Sequence, residues 1–229
     1  MSTIAIIPAR GGSKRIPRKN IKDFLGKPII AYSIEAALAS GIFDEVMVST
    51  DDEEIADIAL GYGAAVPFFR SPERSTDMAM TAPVLIEVLT EYKKLGRDFE
   101  CCCCIYPCAP FISAERLREG MALLISKNVD SVLPVARFSY PPMRGLVIDN
   151  DKLRMKFPEN YNVRSQDLEP IYHDAGQFYC MKTDALLREA KVFCENTLPI
   201  ELSEMEVQDI DGIDDWKMAE LKYKMLHHV

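Results

Sequence analysis

Residues 7–20 read Ile-Pro-Ala-Arg-Gly-Gly-Ser-Lys-Arg-Ile-Pro-Arg-Lys-Asn, so an apolar run beginning at Ile4 empties into a glycine-containing, strongly basic loop. Arg10, Lys14, Arg15, Arg18, Lys19 and Lys22 crowd there, with no acid until Asp23. Gly11 and Gly12 permit backbone conformations closed to other residues, in which consecutive N–H groups converge on an anion. That combination suits a phosphate. A basic nucleic-acid arm would carry similar charge, but such arms rarely start at the end of a buried strand. Neither Gly-x-x-x-x-Gly-Lys-Ser/Thr nor Gly-x-Gly-x-x-Gly occurs, which excludes the two commonest phosphate loops. Near the other end of the chain, Gln208-Asp-Ile-Asp211 sets two carboxylates at i and i+2. On an extended segment both point to one side and reach one hard cation such as Mg²⁺. Asp-x-Asp is also common in turns and helix caps, so the pair alone leaves both readings open.

These groups need a frame, and strand and helix patterns alternate to supply it. A strand over 4–7 precedes a helix that opens at Pro28 and stops at Gly41. A strand over 45–49, an acid-started helix over 52–60 closed by Gly61 and Gly63, and a third strand over 64–69 follow. Thr81 is placed to cap a helix running to about Leu95, before a strand over 100–106. Ser113 caps the next helix, and 130–136 reads as a strand. This rhythm predicts an α/β fold, a Rossmann-like and mostly parallel sheet with helices on both faces. Ligands in such sheets sit beyond the carboxyl ends of the strands, where the basic loop, Arg70 and the Tyr106-Pro107 turn should meet. The rhythm breaks over 137–171, which is rich in Pro, Arg, Asn and Asp yet carries Tyr140, Met143, Phe157 and Tyr161. That segment is too apolar for a linker and reads as an arm that packs on something. Beyond it, 173–181 reads as a strand, 183–191 as a helix, 199–202 and 207–210 as short strands, and 214–226 as a closing helix.

The 229 residues, 48% of them apolar, suit one nucleotide-binding domain carrying the arm as an insertion. A formal charge of −8 excludes a general nucleic-acid binder, which needs a basic footprint. No apolar run follows a basic N-terminus and none approaches eighteen residues, so the chain reads as cytoplasmic, without a membrane partner. Seven cysteines include Cys101-Cys-Cys-Cys104. Adjacent strand residues face opposite ways, so this run suits a buried central strand rather than a disulfide framework or zinc site.

The basic loop resembles the Pro-Ala-Arg-Gly-Gly-Ser-Lys-x-Ile-Pro-x-Lys-Asn signature of the CMP-sialic acid synthetase family. Those cytidylyltransferases join CTP to nine-carbon sugar acids and release pyrophosphate. The resemblance implies nucleotide contacts for Ala9, Arg10, Gly11, Gly12, Ser13, Lys14, Lys19 and Asn20, with Arg10 and Lys14 as catalytic cations on the triphosphate. Arg15 and Arg18 fall at variable positions and are expected to be solvated. Residues 70–77 are similar to the family's Arg-Pro-x-x-x-Ser-Asp block, which implies nucleotide contacts for Arg70, Asp77 and Thr81. An Asp-Ile-Asp pair before the last helix is a family feature and implies that Asp209 and Asp211 hold catalytic Mg²⁺, leaving Asp214 and Asp215 to cap the helix.

On the sugar side, Arg164-Ser-Gln-Asp-Leu matches a family block, and 172–179 looks like the branch that acts on pseudaminic acid. This implies sugar contacts for Tyr106, Arg164, Gln166, His173 and Gln177, with legionaminic or N-acetylneuraminic acid as the alternative substrates. The turn written Gln-Pro-Thr-Ser-Pro-Leu-Arg in neuraminate enzymes is Tyr106-Pro-Cys-Ala-Pro-Phe-Ile112 here, so Tyr106, Ala109, Phe111 and Ile112 are expected to face a less polar sugar. The resemblance further implies a homodimer built through the arm. A non-catalytic nucleotide-sugar-binding protein is the rival reading, and the intact Asp209/Asp211 pair argues against it.

Overall fold

The computed structural model describes residues 1–76 and 78–228. Strand β1 (Thr3–Pro8) leads through the basic loop and a tight hairpin, β2 (Asp23–Phe24) with β3 (Lys27–Pro28), into helix α1 (Ile29–Ser40). Pro28 precedes that helix and Gly41 ends it in the left-handed region, at φ 65°. Strand β4 (Glu45–Ser49) and helix α2 (Glu53–Gly61) follow, and the Asp52 side chain caps α2 by accepting from Ile55 N–H at 3.0 Å. Helix α3 (Thr81–Lys94), strand β5 (Cys101–Ile105), helix α4 (Ala114–Ser126) and strand β6 (Ser131–Arg137) continue the alternation. The arm contributes a separate hairpin, β7 (Leu146–Asp149) with β8 (Lys152–Met155). Strands β9 (Tyr172–Asp174) and β10 (Phe178–Lys182), helix α5 (Thr183–Glu189), strand β11 (Thr197–Leu202) and helix α6 (Ile213–His227) complete the chain.

The main sheet runs β4-β1-β5-β10-β6-β11, with β9 also paired to β6. β9 and β10 are antiparallel to their neighbours, and the other pairings are parallel. Side-chain alternation divides the core in two. Ala5, Ile7, Cys101, Cys103 and Ile105 meet α1, α2 and α4 on one face, while Ile4, Ile6, Cys102 and Cys104 meet α3 and α5 on the other. The four consecutive cysteines are therefore packed as small apolar residues, at most 3% exposed, and burial raises their thiol pKa values.

Three expected strands differ from the structure. Residues 64–69 form a single parallel bridge, Ala65 to Met47, because Pro67 has no N–H with which to continue a ladder. Residues 207–210 are irregular. The strand over 173–181 is broken: Cys180 pairs with Val132 and Asp174 with Val135, so the register slips between them. Asp174 Oδ1 accepts from Gly176 N–H at 2.8 Å, and Gly176 turns the chain at φ 63°. The break brings the Gln177 carbonyl to the Tyr106 N–H, at 2.8 Å. Thr81 is the first residue of α3 rather than its cap.

A third cluster locks the ends of the chain together. Ile16 of the basic loop, Phe24, Ile29, Tyr32, Phe111, Ile210, Trp216 and Ala219 are all buried in it. Phe24 stands edge-on to Tyr32, Trp216 and Tyr223 at 5.4, 5.5 and 5.8 Å. Burying each such aromatic side chain stabilises the fold by roughly 1.5–3 kcal/mol, so the basic loop and the Asp209–Asp211 segment are held by the same packing.

Candidate active site

Two apolar residues set the geometry of the charged ones. Ile16 and Ile210 are 4% and 2% exposed, so the residues flanking them are driven outward around a common cavity. That cavity, about 300 Å³, is lined by Arg10, Ser13, Lys14, Lys19, Asn20, Arg70, Thr81, Tyr106, Asp209 and Asp211. Asp209 and Asp211 are exposed on either side of buried Ile210, as the i and i+2 spacing of an extended segment requires. Lys19 Nζ donates to the Ile210 carbonyl at 2.7 Å, and Arg15 pairs with Asp211 at 2.5 Å. The basic loop thus touches the acidic segment directly, while the Arg15 side chain stays 71% exposed, as expected of a solvated charge.

Arg70 is 8% exposed at the wall of this cavity. Its Nε donates to the Ser49 hydroxyl at 3.1 Å and its Nη2 to the Ser49 carbonyl. Among the described residues no carboxylate lies within ion-pair distance of it, and burial lowers its pKa. A buried cation so fixed favours a ligand rich in acceptor atoms.

Within the loop the roles divide. Neither glycine adopts the left-handed region. Gly11 is required by close approach, since a Cβ there would lie 2.6 Å from Asp52 Oδ2, whereas Gly12 faces open space. Gly11 N–H donates to Asp51 Oδ1 at 3.0 Å, and the buried Ala9 donates its N–H to the Ser49 carbonyl at 2.9 Å, so these two amides shape the loop. Asn20 does likewise, its Nδ2 donating to the Arg10 carbonyl at 2.9 Å. Arg18, expected to be solvated, instead binds Asp52, 2.9 Å from Nη2 to Oδ1, and also Glu54. Those contacts raise the Arg18 pKa and hold the Asp52 carboxyl below the usual range.

The sugar-side residues scatter. Tyr106 lines the cavity, but its hydroxyl pairs with Thr81, at 3.1 Å. Gln177 is buried and its amide donates to the Glu206 carbonyl, which makes it a structural residue. Arg164 pairs with Asp167 at 2.7 Å on the exposed arm, and neither it nor Gln166 reaches the cavity. His173 lies in a second cavity, about 260 Å³, with Arg137, Phe138, Tyr140, Glu204 and Lys222; the two cavities share Gln208 and Asp209. Ala109, Phe111 and Ile112 are 4, 8 and 7% exposed and belong to the core, so they do not line a sugar pocket. Asp77 lies outside the described residues. Sequence reasoning missed Ile16 and Ile210 as anchors, and also Gln208 and Cys108, which line the cavity.

A mostly parallel α/β sheet whose strand ends carry a basic loop, a buried arginine and a carboxylate pair is the frame of a nucleotidyltransferase. The chain belongs to the cytidylyltransferase family, which it matches over residues 4–214. It is 42% identical to pseudaminic acid cytidylyltransferase of Campylobacter jejuni across 99% of this chain and 98% of that protein. It is 35% identical to the CMP-N,N'-diacetyllegionaminic acid synthase of Legionella pneumophila, across 96% and 95%. Its fold resembles that of CMP:2-keto-3-deoxy-manno-octonic acid synthetase solved with CTP, with a TM-score of 0.74, 16% identity and full coverage of both chains.

Proposed function

We propose that this protein joins CTP to a nine-carbon 2-keto sugar acid, pseudaminic acid, giving the CMP-sugar and pyrophosphate. The observation that carries this reading is the cavity in which Arg10, Lys14, Lys19 and Arg70 face Asp209 and Asp211. Phosphoryl transfer needs positioning and neutralisation of charge rather than covalent help from the protein. Arg10 and Lys14 bind the triphosphate and stabilise pyrophosphate as it leaves. Ser13 and Arg70 orient the nucleotide. The anomeric hydroxyl of the sugar acid attacks the α-phosphorus, entering from the side of the second cavity, where Arg137, His173 and Lys222 suit a carboxylate.

Mg²⁺ fits the acidic pair. The two carboxylates open on the same cavity as the phosphate-binding cations, and among the described residues no cluster of three or more His, Cys, Asp or Glu is placed to hold a metal ion. Mg²⁺ takes one or two carboxylates and fills its octahedron with water and phosphate oxygens. Asp209 and Asp211 would hold it, and when bound it neutralises charge that develops on the phosphates.

The sugar is assigned from the relatives. Identity to the pseudaminic acid enzyme exceeds that to the legionaminic acid enzyme at comparable coverage. The protein acts as a cytoplasmic homodimer in this reading, one domain per chain with the arm as the contact. No helix among the described residues is long and apolar enough to cross a membrane. In the arm, Ile148 pairs with Leu153 and Leu146 with Met155, and Leu146, Ile148 and Leu153 are 56, 78 and 64% exposed. A lone two-stranded hairpin is marginally stable, so a second copy covering this apolar face would complete it. Incubation with CTP, Mg²⁺ and a panel of sugar acids, read by mass spectrometry, tests the proposal. CMP-pseudaminic acid as the main product supports it, and turnover of neuraminic acid at equal kcat/KM removes the sugar assignment.

A further inference from the structure

Residues 207–211 carry both carboxylates of the acidic pair, yet they belong to no strand or helix, since β11 ends at Leu202 and α6 begins at Ile213. Backbone groups that lack a ladder must find other partners. Here side chains supply them. Gln177 Nε2 donates to the Glu206 carbonyl, and Lys19 Nζ donates to the Ile210 carbonyl at 2.7 Å. Lys222 Nζ donates to two carbonyls, that of Glu204 at 3.1 Å and that of Val207 at 2.8 Å.

The turn over Glu204–Glu206 is clamped separately. Arg116 of α4 donates to both Glu206 carboxylate oxygens, at 3.0 and 3.2 Å, and the Ser203 hydroxyl donates to Oε2 at 2.8 Å. What remains to be placed is the step from Val207 to Asp209. Helix α6, which carries Lys222, is seated by Trp216 and Ala219 in the buried cluster that also holds Ile210. Asp209 is thus tied to α6 on both flanks, by the packing of Ile210 and by the Val207 carbonyl. An ammonium has three donors, and two of those on Lys222 are committed to carbonyls. Mg²⁺ demands near-ideal octahedral geometry at short distances, so a carboxylate that holds it must be closely placed.

We propose that Lys222 is a positioning residue for the metal: by holding the Glu204 and Val207 carbonyls it fixes the backbone from which Asp209 reaches the cation. The inference rests on the reading of Asp209 and Asp211 as the ligands of Mg²⁺, and it adds a residue that does not itself touch the ion. Loss of the tie should loosen the metal and spare the nucleotide's own contacts. Those contacts are anchored elsewhere, at the end of β4, where Ser49 holds Ala9 and Arg70 and where Asp51 holds Gly11.

The test is calorimetric binding of CTP to the full chain with and without Mn²⁺, a cation that shares the oxygen preference of Mg²⁺. No sugar acid is present, so a contact between Lys222 and that substrate does not enter. In wild type, Mn²⁺ should tighten CTP binding by at least about tenfold. Lys222→Met acts at a partly exposed residue and keeps the apolar stem. In that variant the Mn²⁺ gain should shrink by at least about fivefold, since partners that orient metal ligands are worth roughly 10–100-fold in metal affinity. CTP binding without Mn²⁺ should be unchanged. Lys222→Arg restores donors within reach of the carbonyls and should keep the larger part of the gain. The full Mn²⁺ gain in Lys222→Met, with or without a lowered Tm, is what a merely structural tie would give and would overturn the proposal. A loss in Lys222→Arg equal to that in Lys222→Met would overturn it too. A full gain in Asp209→Asn, or none in wild type, would instead remove the acidic pair as the metal site, and this inference with it.

Discussion

Replacing Gly11 by alanine should destabilise the protein, while the same change at Gly12 should not. An added Cβ at Gly11 would stand 2.6, 3.1 and 3.2 Å from Oδ2, Cβ and Cγ of Asp52, so the Asp52 side chain must leave. It would abandon the cap on α2, worth about 1 kcal/mol, and the Arg18 contact. Arg18 is 38% exposed, so solvent screening limits that pair to at most about 1 kcal/mol. Loss of glycine's unfolded-state freedom returns roughly 0.5 kcal/mol, leaving a net cost of at most about 1.5 kcal/mol. For a chain of this size that lowers Tm by up to about 3–6 °C. Thermal unfolding followed by circular dichroism reads it. In an Arg18→Ala background the Gly11→Ala cost should shrink, because both changes strip the same carboxylate. The pH dependence follows from the depressed Asp52 pKa. Its folded value lies below the unfolded one, so its contribution is complete above about pH 4 and is lost as pH falls through the folded value. The gap between wild type and Gly11→Ala should therefore narrow in acid. Equal Tm values for Gly11→Ala and wild type, or equal losses at Gly11 and Gly12, would refute the close-approach reasoning.

Arg10→Ala or Lys14→Ala should lower turnover more than tenfold with Tm nearly unchanged, as measured by pyrophosphate release. Asp209→Asn or Asp211→Asn should abolish Mg²⁺-dependent turnover while CTP still binds, and calorimetry showing full activity in the double variant would place the metal elsewhere. Ile148→Lys with Leu153→Lys should give a folded monomer by light scattering; an unaltered dimer would move the contact off the hairpin.

Much of the frame was legible because it is written in periodicity. The alternating faces of 101–104, the Pro28 start and Gly41 stop of α1, the acidic start of α2 and the Ser113 cap all stand where local chemistry puts them. Tertiary placement was not legible. Residues 64–69 carry strand-like residues, but Pro67 limits them to one bridge, and the register slip before Phe178 depends on an aspartate folding back on Gly176. Phe111 and Ile112 follow the turn after β5, where a core residue and a pocket residue look alike in sequence; packing against α6 and α1 decides it. Arg18 looked like one more surface cation because its partners, Asp52 and Glu54, are distant in the chain.

The run of cysteines in β5 makes the protein a recorder of its own opening. Cys101 to Cys104, with Cys180 and Cys194, are at most 3% exposed, whereas Cys108 borders the cavity. Burial pushes even the Cys108 thiol up to about 12, so in the native state it is a slow nucleophile. An alkylating reagent should therefore mark Cys108 first, with bound nucleotide shielding it. The five thiols of β5 and β10 would be tagged only when the central strand separates from its neighbours. Counting tags per chain by mass would thus time the rare unfolding of the sheet without any engineered label.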